Sequence, residues 1–124
     1  MAKMHQTGID IIEIARVEKA LAHWGDSFLK RIYTESELNL YHHKLASLAV
    51  RLAGKEATVK ALGITRGVNW KEIEILSHPN GKPLVRLSGR TQDQARKLGL
   101  SNFAISLSHC REYAIALVTA EAKP

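Results

Sequence analysis

The segment from residue 8 to residue 25, GIDIIEIARVEKALAHWG, decides the fold, because its spacing changes from that of a strand to that of a helix. In the first half, β-branched residues at alternate positions indicate a strand, with Ile9 and Asp10 on opposite faces. After that, apolar residues recur every three or four positions, and Gly25 is a natural stop. The sequence therefore predicts a short strand that runs into a helix over about residues 13–24.

The remaining patterns place helices early and hairpins late in the chain. Thr34 followed by Glu37 is a capping box, which predicts a helix that continues to about Lys44. A longer helix is expected over residues 46–62. The later elements are strands over 72–77 and 84–88 joined by a hairpin at Asn80-Gly81, a helix over 91–98, and strands over 103–109 and 112–120. These elements predict an α+β fold in which an antiparallel sheet packs with helices, forming one domain over residues 1–124.

The composition fits a cytoplasmic globular domain and leaves the class of partner open. The 124 residues are 45% hydrophobic and 24% charged, and no apolar run approaches the roughly 20 residues that span a bilayer. Cys110 is the only cysteine, which excludes an internal disulfide and a multi-cysteine metal site. The net charge of +6 favours acidic partners. Nucleic acid, an anionic membrane, an acidic protein and a phosphorylated cofactor all satisfy that charge.

Glu56 is the first candidate for chemistry, because it stands on or beside the apolar stripe of the long helix. It comes four residues after Leu52 and three before Val59, and Lys60 follows one turn later on the same side. Two interpretations stay open. The first is an exposed Glu–Lys pair worth about 0.2–0.5 kcal/mol. The second is a carboxylate at the edge of the core that binds a cation, with a lysine nearby for an anion.

Asp10 is the second candidate, and it also has two interpretations. With Glu13 three residues later it matches a capping box at the start of the first helix. Alternatively, a carboxylate among isoleucines persists when it is paired or bound to a metal. Asp10 and Glu56 on separate elements would suit Mg²⁺, which takes oxygen ligands and usually binds substrate phosphates as well.

The other polar residues give weaker signals. His109 ends an alternating segment, where a histidine serves as a general base, a phosphate partner or a hydrogen-bonded turn residue. His42 and His43 are expected to be solvated. The basic residues of the first third lack the aromatic platform of single-strand binders and form, on their own, a solvated face; they are Arg16, Lys19, Lys30 and Arg31.

Five segments, taken in order, carry a family resemblance. They are GIDIIEIARVEKAL (8–21), FLKRIYTESEL (28–38), RLAGKEATVKALG (51–63), WKEIEILSHPNGKPLVRLSG (70–89) and ISLSHCREYAIALV (105–118). Together they resemble the holo-acyl-carrier-protein synthase family, the small phosphopantetheinyl transferases of fatty-acid synthesis. The RLAGKEATVKALG block is the most specific of the five, and the resemblance spans nearly the whole chain.

The resemblance implies a reaction and assigns site residues to it. Such enzymes move the 4′-phosphopantetheine group of coenzyme A onto a serine of an apo-acyl carrier protein and release adenosine 3′,5′-bisphosphate. Asp10 and Glu56 match the two magnesium-ligand positions, and Lys60 matches the position that approaches the pyrophosphate. The group that takes the serine proton stays open between Asp10, Glu56 and a metal-ordered water, which we favour. The positions that would line the coenzyme A cleft are Arg51, Lys60, Gly63, Asn80, Gly81, Pro83 and His109.

The resemblance also implies two kinds of protein partner. Arg16 and Arg31 match positions that meet the acidic carrier protein, and Lys19 and Lys30 lie close to them in sequence. The resemblance to short chains of this family implies a homotrimer in which the clefts lie between neighbouring subunits. No nucleic-acid or membrane partner is expected.

Two departures from the family pattern keep alternatives in view. The chain reads GITRGVNW after residue 62, without the family's second glycine, and it carries Leu52 and Gly54 where Phe and Ala are usual. Gly54 predicts close packing or local flexibility within its helix. The alternatives are a non-catalytic homologue that holds coenzyme A or a carrier, and a basic nucleic-acid-binding domain. Magnesium-dependent binding of coenzyme A would favour the transferase or the non-catalytic homologue, and salt-sensitive binding of DNA or RNA would favour the nucleic-acid-binding domain.

Overall fold

The computed structural model describes residues 4–41 and 44–122. Within these ranges the strands are β1 (Met4–Glu13), β2 (Ile73–Ser77), β3 (Pro83–Leu87), β4 (Leu100–His109) and β5 (Tyr113–Ala122). The α-helices are α1 (Ile14–Trp24), α2 (Asp26–Ile32), α3 (Glu35–Tyr41), α4 (Leu45–Leu62) and α5 (Gly89–Lys97), and a 3₁₀ helix spans Trp70–Glu72. The α+β fold class predicted from the sequence is confirmed.

The main sheet has three antiparallel strands in the order β1-β5-β4. Asp10 of β1 lies opposite Ala116 of β5, which in turn lies opposite Leu107 of β4. The alternation read in the first segment is confirmed: Ile12 is buried beneath the sheet while Ile11 is exposed on its outer face. The period of two therefore places Asp10 on the inner face, beside the helices.

Helix α4 lies on the inner face of the main sheet and forms the centre of the core. It contacts β1 and β5 closely because the residues at the contact are small, including Ala53, Ala57 and Ala61. A Cβ atom at Gly8 of β1 would overlap the carbonyl oxygen of Ala57. A Cβ at Gly54 would lie 3.0 Å from Ile105 Cδ1, so the close packing expected at Gly54 is confirmed.

The second sheet is the antiparallel hairpin β2–β3. The hairpin predicted at Asn80-Gly81 is present, with a loop over residues 78–82 in which the His78 N–H donates to the Lys82 carbonyl at 2.8 Å. Gly81 has a φ of 89°, a conformation that favours glycine. The hairpin thereby presents a tight loop at the end of the small sheet.

The capping box of α3 is confirmed in both directions. The Thr34 N–H donates to Glu37 Oε1 at 2.9 Å, and the Glu37 N–H donates to Thr34 Oγ1 at 3.2 Å. The helix is described as far as Tyr41, and Lys44, near which it was expected to end, is the non-helical residue that precedes α4. The expectation that His42 and His43 are solvated lies outside the described residues.

Two interpretations from the sequence are wrong. Asp10 does not cap the first helix: it lies within β1, and α1 begins at Ile14, after Glu13, with no side-chain cap. The apolar stripe predicted for the long helix is also too narrow. Helix α4 is enclosed on most sides, and its small residues are more deeply buried than Leu52 and Val59. The sequence also gave no indication of α2.

None of the helices formed by residues 4–41 and 44–122 has the length and apolarity needed to cross a membrane.

Candidate active site

Asp10 and Lys60 meet where the inner face of β1 contacts α4. Lys60 Nζ donates to Asp10 Oδ1 at 3.0 Å and to the Ile9 carbonyl at 2.9 Å. The Asp10 side chain is 11% exposed and the Lys60 side chain 57%. The carboxylate is thus held at the edge of the core, while the ammonium group remains open to an incoming anion.

Glu56 lies one turn before Lys60 on α4, half-buried beside Asp10. Burial, and after it the adjacent Asp10 carboxyl, raises the pKa of Glu56 to about 7 from its ordinary 4.5, and Arg16 and Lys60 oppose that shift. The ion pair that the structure shows for Lys60 is with Asp10, so the reading of an isolated Glu56–Lys60 surface pair is wrong. A carboxyl whose pKa is raised by burial and by a neighbouring carboxyl is typical of a cation site.

The donor set at this place fits a magnesium ion. Asp10 Oδ2 is buried and has no hydrogen-bond partner among the described residues, so it has a lone pair available for a ligand. No group of three or more His, Cys, Asp or Glu side chains in residues 4–41 and 44–122 could hold a metal. A pair of carboxylates is nevertheless what Mg²⁺ commonly takes from a protein, since water and phosphate oxygens complete its coordination.

A groove with a basic rim leads to Glu56. One cavity of about 470 Å³ is lined by Glu56, Phe28, Trp70 and the exposed Arg31. A smaller one of about 160 Å³ is lined by Glu56 and the exposed Arg16. The two predicted carrier-binding arginines therefore flank approaches to the same carboxyl group.

A second set of predicted residues gathers on another side of α4. Arg51 Nη2 donates to Ser77 Oγ at 3.3 Å, and its guanidinium lies 4.0 Å from the centre of the Tyr41 ring. Arg51 Nε is buried without a hydrogen-bond partner in the described part of the chain. The β2–β3 loop follows directly after Ser77 and carries two further predicted positions, Asn80 and Gly81, while a third, Pro83, is the first residue of β3.

The two sets do not form a single cluster within one chain. Arg51 precedes Glu56 by five residues, which at 100° per residue separates their directions around the helix by about 140°. Arg51 accordingly faces β2, whereas Glu56 faces β1. Gly63 ends α4 with a φ of 68° and lines a cavity with Lys60, and His109 is exposed at the end of β4.

Lys55, the neighbour of Glu56, is a buried polar residue that the sequence analysis missed. Its side chain and that of Glu37 are both 0% exposed, and they form an ion pair of 2.7 Å. Burial lowers the pKa of Lys55, and the Glu37 carboxylate opposes that shift. A signal was present, because Lys55 stands three residues after Leu52, on the stripe predicted to be buried.

Comparison with known proteins places the chain in a family. The model of the 4′-phosphopantetheinyl transferase superfamily matches residues 6–118. A holo-[acyl-carrier-protein] synthase from Dehalococcoides mccartyi (strain CBDB1) is 50% identical over 118 residues, covering 95% of this chain and 99% of that protein. One from Herpetosiphon aurantiacus is 42% identical over 120 residues, covering 90% of this chain and 94% of that protein.

Solved structures agree over almost the full length of the chain. The Helicobacter pylori holo-[acyl-carrier-protein] synthase in complex with coenzyme A has a TM-score of 0.83 at 35% identity and covers 92% of this chain and 98% of its own. The Bacillus anthracis synthase in complex with coenzyme A (3′,5′-ADP) has a TM-score of 0.79 at 34% identity, with coverage of 98% and 100%. On this evidence the chain belongs to the 4′-phosphopantetheinyl transferase superfamily, as a member of its holo-[acyl-carrier-protein] synthase family.

Proposed function

We propose that this chain, as one domain over residues 1–124, transfers 4′-phosphopantetheine from coenzyme A to a serine of an acidic apo-acyl carrier protein. The observation that carries the proposal is the pairing of Asp10 with Glu56 across β1 and α4, with Lys60 beside them. Family membership supplies the reaction, and this arrangement supplies the groups that the reaction needs. The proposed setting is the cytoplasm, where a lone free thiol such as the exposed Cys110 stays reduced.

Asp10 and Glu56 would hold a Mg²⁺ ion, which when bound supplies positive charge at the pyrophosphate and polarises phosphorus. Lys60 stabilises the negative charge that develops on the departing adenosine 3′,5′-bisphosphate, since its exposed ammonium group adjoins Asp10. The serine oxygen attacks the β-phosphorus of coenzyme A, and the bond from that phosphorus to the leaving phosphate oxygen breaks. A water held by Glu56, whose pKa of about 7 suits proton exchange at neutral pH, takes the serine proton.

Coenzyme A is the proposed donor because the H. pylori and B. anthracis relatives were solved in complex with it. Arg51, with an unpartnered buried Nε, is the proposed contact for a phosphate of the nucleotide end. The remaining positions proposed for the cleft are Gly63, Asn80, Gly81, Pro83 and His109.

A homotrimer is proposed for two reasons. First, the outer face of the main sheet carries exposed apolar side chains, which include Ile9, Ile11, Tyr113 and Leu117 at exposed fractions of 43–60%. Contiguous apolar patches of this kind mark protein interfaces. Second, Arg51 and the residues near it lie on a different side of α4 from Asp10 and Glu56. A cleft between two subunits would bring Arg51 of one subunit close to the two carboxylates of its neighbour. Light scattering should give about 41 kDa, three times 13.8 kDa; a mass of one chain in an active preparation would contradict the trimer.

The site is tested by replacing each carboxylate. Asp10→Ala and Glu56→Ala should abolish transfer while the circular dichroism spectrum stays unchanged. Glu13→Ala is the matched control, because Glu13 is an exposed carboxylate on the same strand without a side-chain cap bond. Near-normal turnover in both site variants would remove the metal-site assignment.

A further inference from the structure

Lys55 and Glu37 form a buried ion pair in which every strong donor of the lysine is used. Lys55 Nζ donates to Glu37 Oε1 at 2.7 Å, to the Trp70 carbonyl at 3.0 Å and to the Ile73 carbonyl. An ammonium group has three N–H donors, so none remains without an acceptor.

Glu37 extends the pair to two further segments. Its Oε1 accepts the Thr34 N–H at 2.9 Å, and its Oε2 accepts the Ile75 N–H at 2.9 Å. The pair consequently joins the start of α3, the middle of α4, the 3₁₀ helix and β2. Lys55 is adjacent in sequence to Glu56, a residue of the proposed site.

Stability alone does not account for such a pair. Replacing a buried ion pair by apolar residues of similar volume is often neutral or stabilising, because desolvation offsets the attraction between the charges. What the pair does provide is a fixed geometry: two backbone carbonyls and two backbone N–H groups are tied to one point on α4. Apolar side chains would not specify those distances.

The segment held by the pair forms part of the groove at Glu56. Trp70, whose carbonyl accepts from Lys55, lines the 470 Å³ groove together with Glu56 and Arg31. The loop over residues 63–69 joins the end of α4 to Trp70, so Lys55 anchors the far end of that loop. Trp70 is thus the residue of the groove lining whose backbone is bonded to Lys55.

We propose that Lys55 and Glu37 are positioning residues for the transfer reaction, and that the buried pair fixes the Trp70 wall of the groove relative to Glu56. The inference rests on the proposed function in that it gives the groove a part in catalysis. Neither residue touches the substrate; both act through the backbone of Trp70 and Ile73. Because misplacement by about 1 Å can cost about 10²-fold in rate, loosening this wall should affect turnover more than binding.

The test compares Lys55→Met, which keeps the length of the side chain, with Glu74→Gln as the matched control. Glu74 is a carboxylate of β2 whose side chain accepts hydrogen bonds from Thr34 Oγ1 and Arg86, whereas the carboxylate that Lys55 bonds is that of Glu37. With coenzyme A, Mg²⁺ and an apo-carrier protein, Lys55→Met should lower kcat at least tenfold. KM for coenzyme A should stay within threefold, since the proposed phosphate-binding residues are intact. Glu74→Gln should leave both parameters within threefold.

A second readout does not depend on activity. In a Trp24→Phe background Trp70 is the only tryptophan of the chain, so its fluorescence reports on the groove wall. Iodide should quench Trp70 at least twice as strongly in Lys55→Met as in the parent, and equally in Glu74→Gln and the parent. If the parent transfers nothing, the proposed function fails; unchanged quenching in Lys55→Met overturns the positioning role whether or not the parent is active.

A milder variant covers the case in which Lys55→Met does not fold. Glu37→Gln keeps one acceptor oxygen but turns a donor towards either Ile75 or Lys55, so it should reduce kcat three- to tenfold with KM for coenzyme A unchanged. A cooperative melt of either variant together with parental kcat would overturn the proposal. A fall in kcat that Glu74→Gln reproduces at a similar loss of stability would overturn it too, because the effect would then be a general one on the fold.

Discussion

Replacing Glu56 by glutamine should stabilise the metal-free protein at alkaline pH and at the same time abolish its response to magnesium. Folding raises the pKa of Glu56 from 4.5 to about 7, chiefly by burial and then by the adjacent Asp10. At 1.36 kcal/mol per pKa unit, this corresponds to about 3 kcal/mol. Because Glu56 is only half-buried and solvent screens it, we expect about half of that, 1–2 kcal/mol.

The sign follows from the direction of the shift. A carboxyl group whose pKa is raised by folding holds its proton more tightly in the folded chain than in the unfolded one. Its ionisation therefore destabilises the folded chain, and the metal-free protein loses stability as the pH rises from about 4.5 to about 7. Glutamine does not ionise, so in Glu56→Gln this part of the pH dependence should disappear.

The assay is urea unfolding followed by circular dichroism at pH 5 and pH 8, with EDTA, at one fixed protein concentration. Fixing the concentration matters because the stability of an oligomer depends on it. At pH 8 Glu56→Gln should be more stable than the parent by about 1–2 kcal/mol, and at pH 5 the two should agree within about 0.5 kcal/mol. Glu13→Gln on the exposed side of β1 is the control and should follow the parent at both values.

Magnesium reverses the order at pH 8. A ligand at a hundred times its dissociation constant stabilises a folded protein by about 2.7 kcal/mol, so Mg²⁺ at that level should raise the unfolding midpoint of the parent above that of Glu56→Gln and leave the variant unchanged. A variant that is less stable than the parent at pH 8 without metal would refute the reasoning about burial. A variant that still responds to Mg²⁺ would refute the assignment of Glu56 as a ligand.

Three further predictions concern the carrier, the core and the assembly. Arg16→Glu should raise KM for the carrier protein more than KM for coenzyme A, and in a salt-dependent way, whereas Arg90→Glu on α5 should not; equal effects on both substrates would place the carrier elsewhere. Gly8→Ala should prevent cooperative unfolding, because its Cβ overlaps the Ala57 carbonyl oxygen, and a sharp melt near the parental temperature would show that β1 can move away from α4. Leu117→Lys should convert the oligomer to a single chain with little activity by light scattering and transfer assay, and a variant that dissociates but stays fully active would locate the site within one subunit.

The features that the sequence predicted well are those that depend on neighbouring residues. The strand over residues 8–12, which lies within β1, and the Thr34–Glu37 box are set by spacings of two and three residues, which the backbone geometry fixes on its own. Helix α2 was missed because it has only seven residues and begins directly after Gly25, which also ends α1. A helix of that length gets its stability from packing against the rest of the core, and local sequence does not specify that packing.

The candidate site depends on contacts that no local pattern contains. Asp10 and Lys60 are 50 residues apart, and their bond exists because Gly8 allows α4 to contact β1 closely. The interpretation of Asp10 as a helix cap is wrong because the strand continues through Glu13, so that Asp10 lies within β1 and faces α4. Lys55 was overlooked because a lysine on an apolar stripe is usually at its edge, whereas here three acceptors from distant segments surround it.

Intact mass spectrometry tests the central claim most directly. An apo-acyl carrier protein is incubated with this chain, coenzyme A and Mg²⁺, and a parallel sample contains EDTA. The account predicts that the carrier gains the mass of one phosphopantetheine and that EDTA abolishes the gain. No gain while coenzyme A still binds in the presence of Mg²⁺ would contradict the transfer and favour a non-catalytic homologue, and a gain that persists in EDTA would contradict the metal site at Asp10 and Glu56.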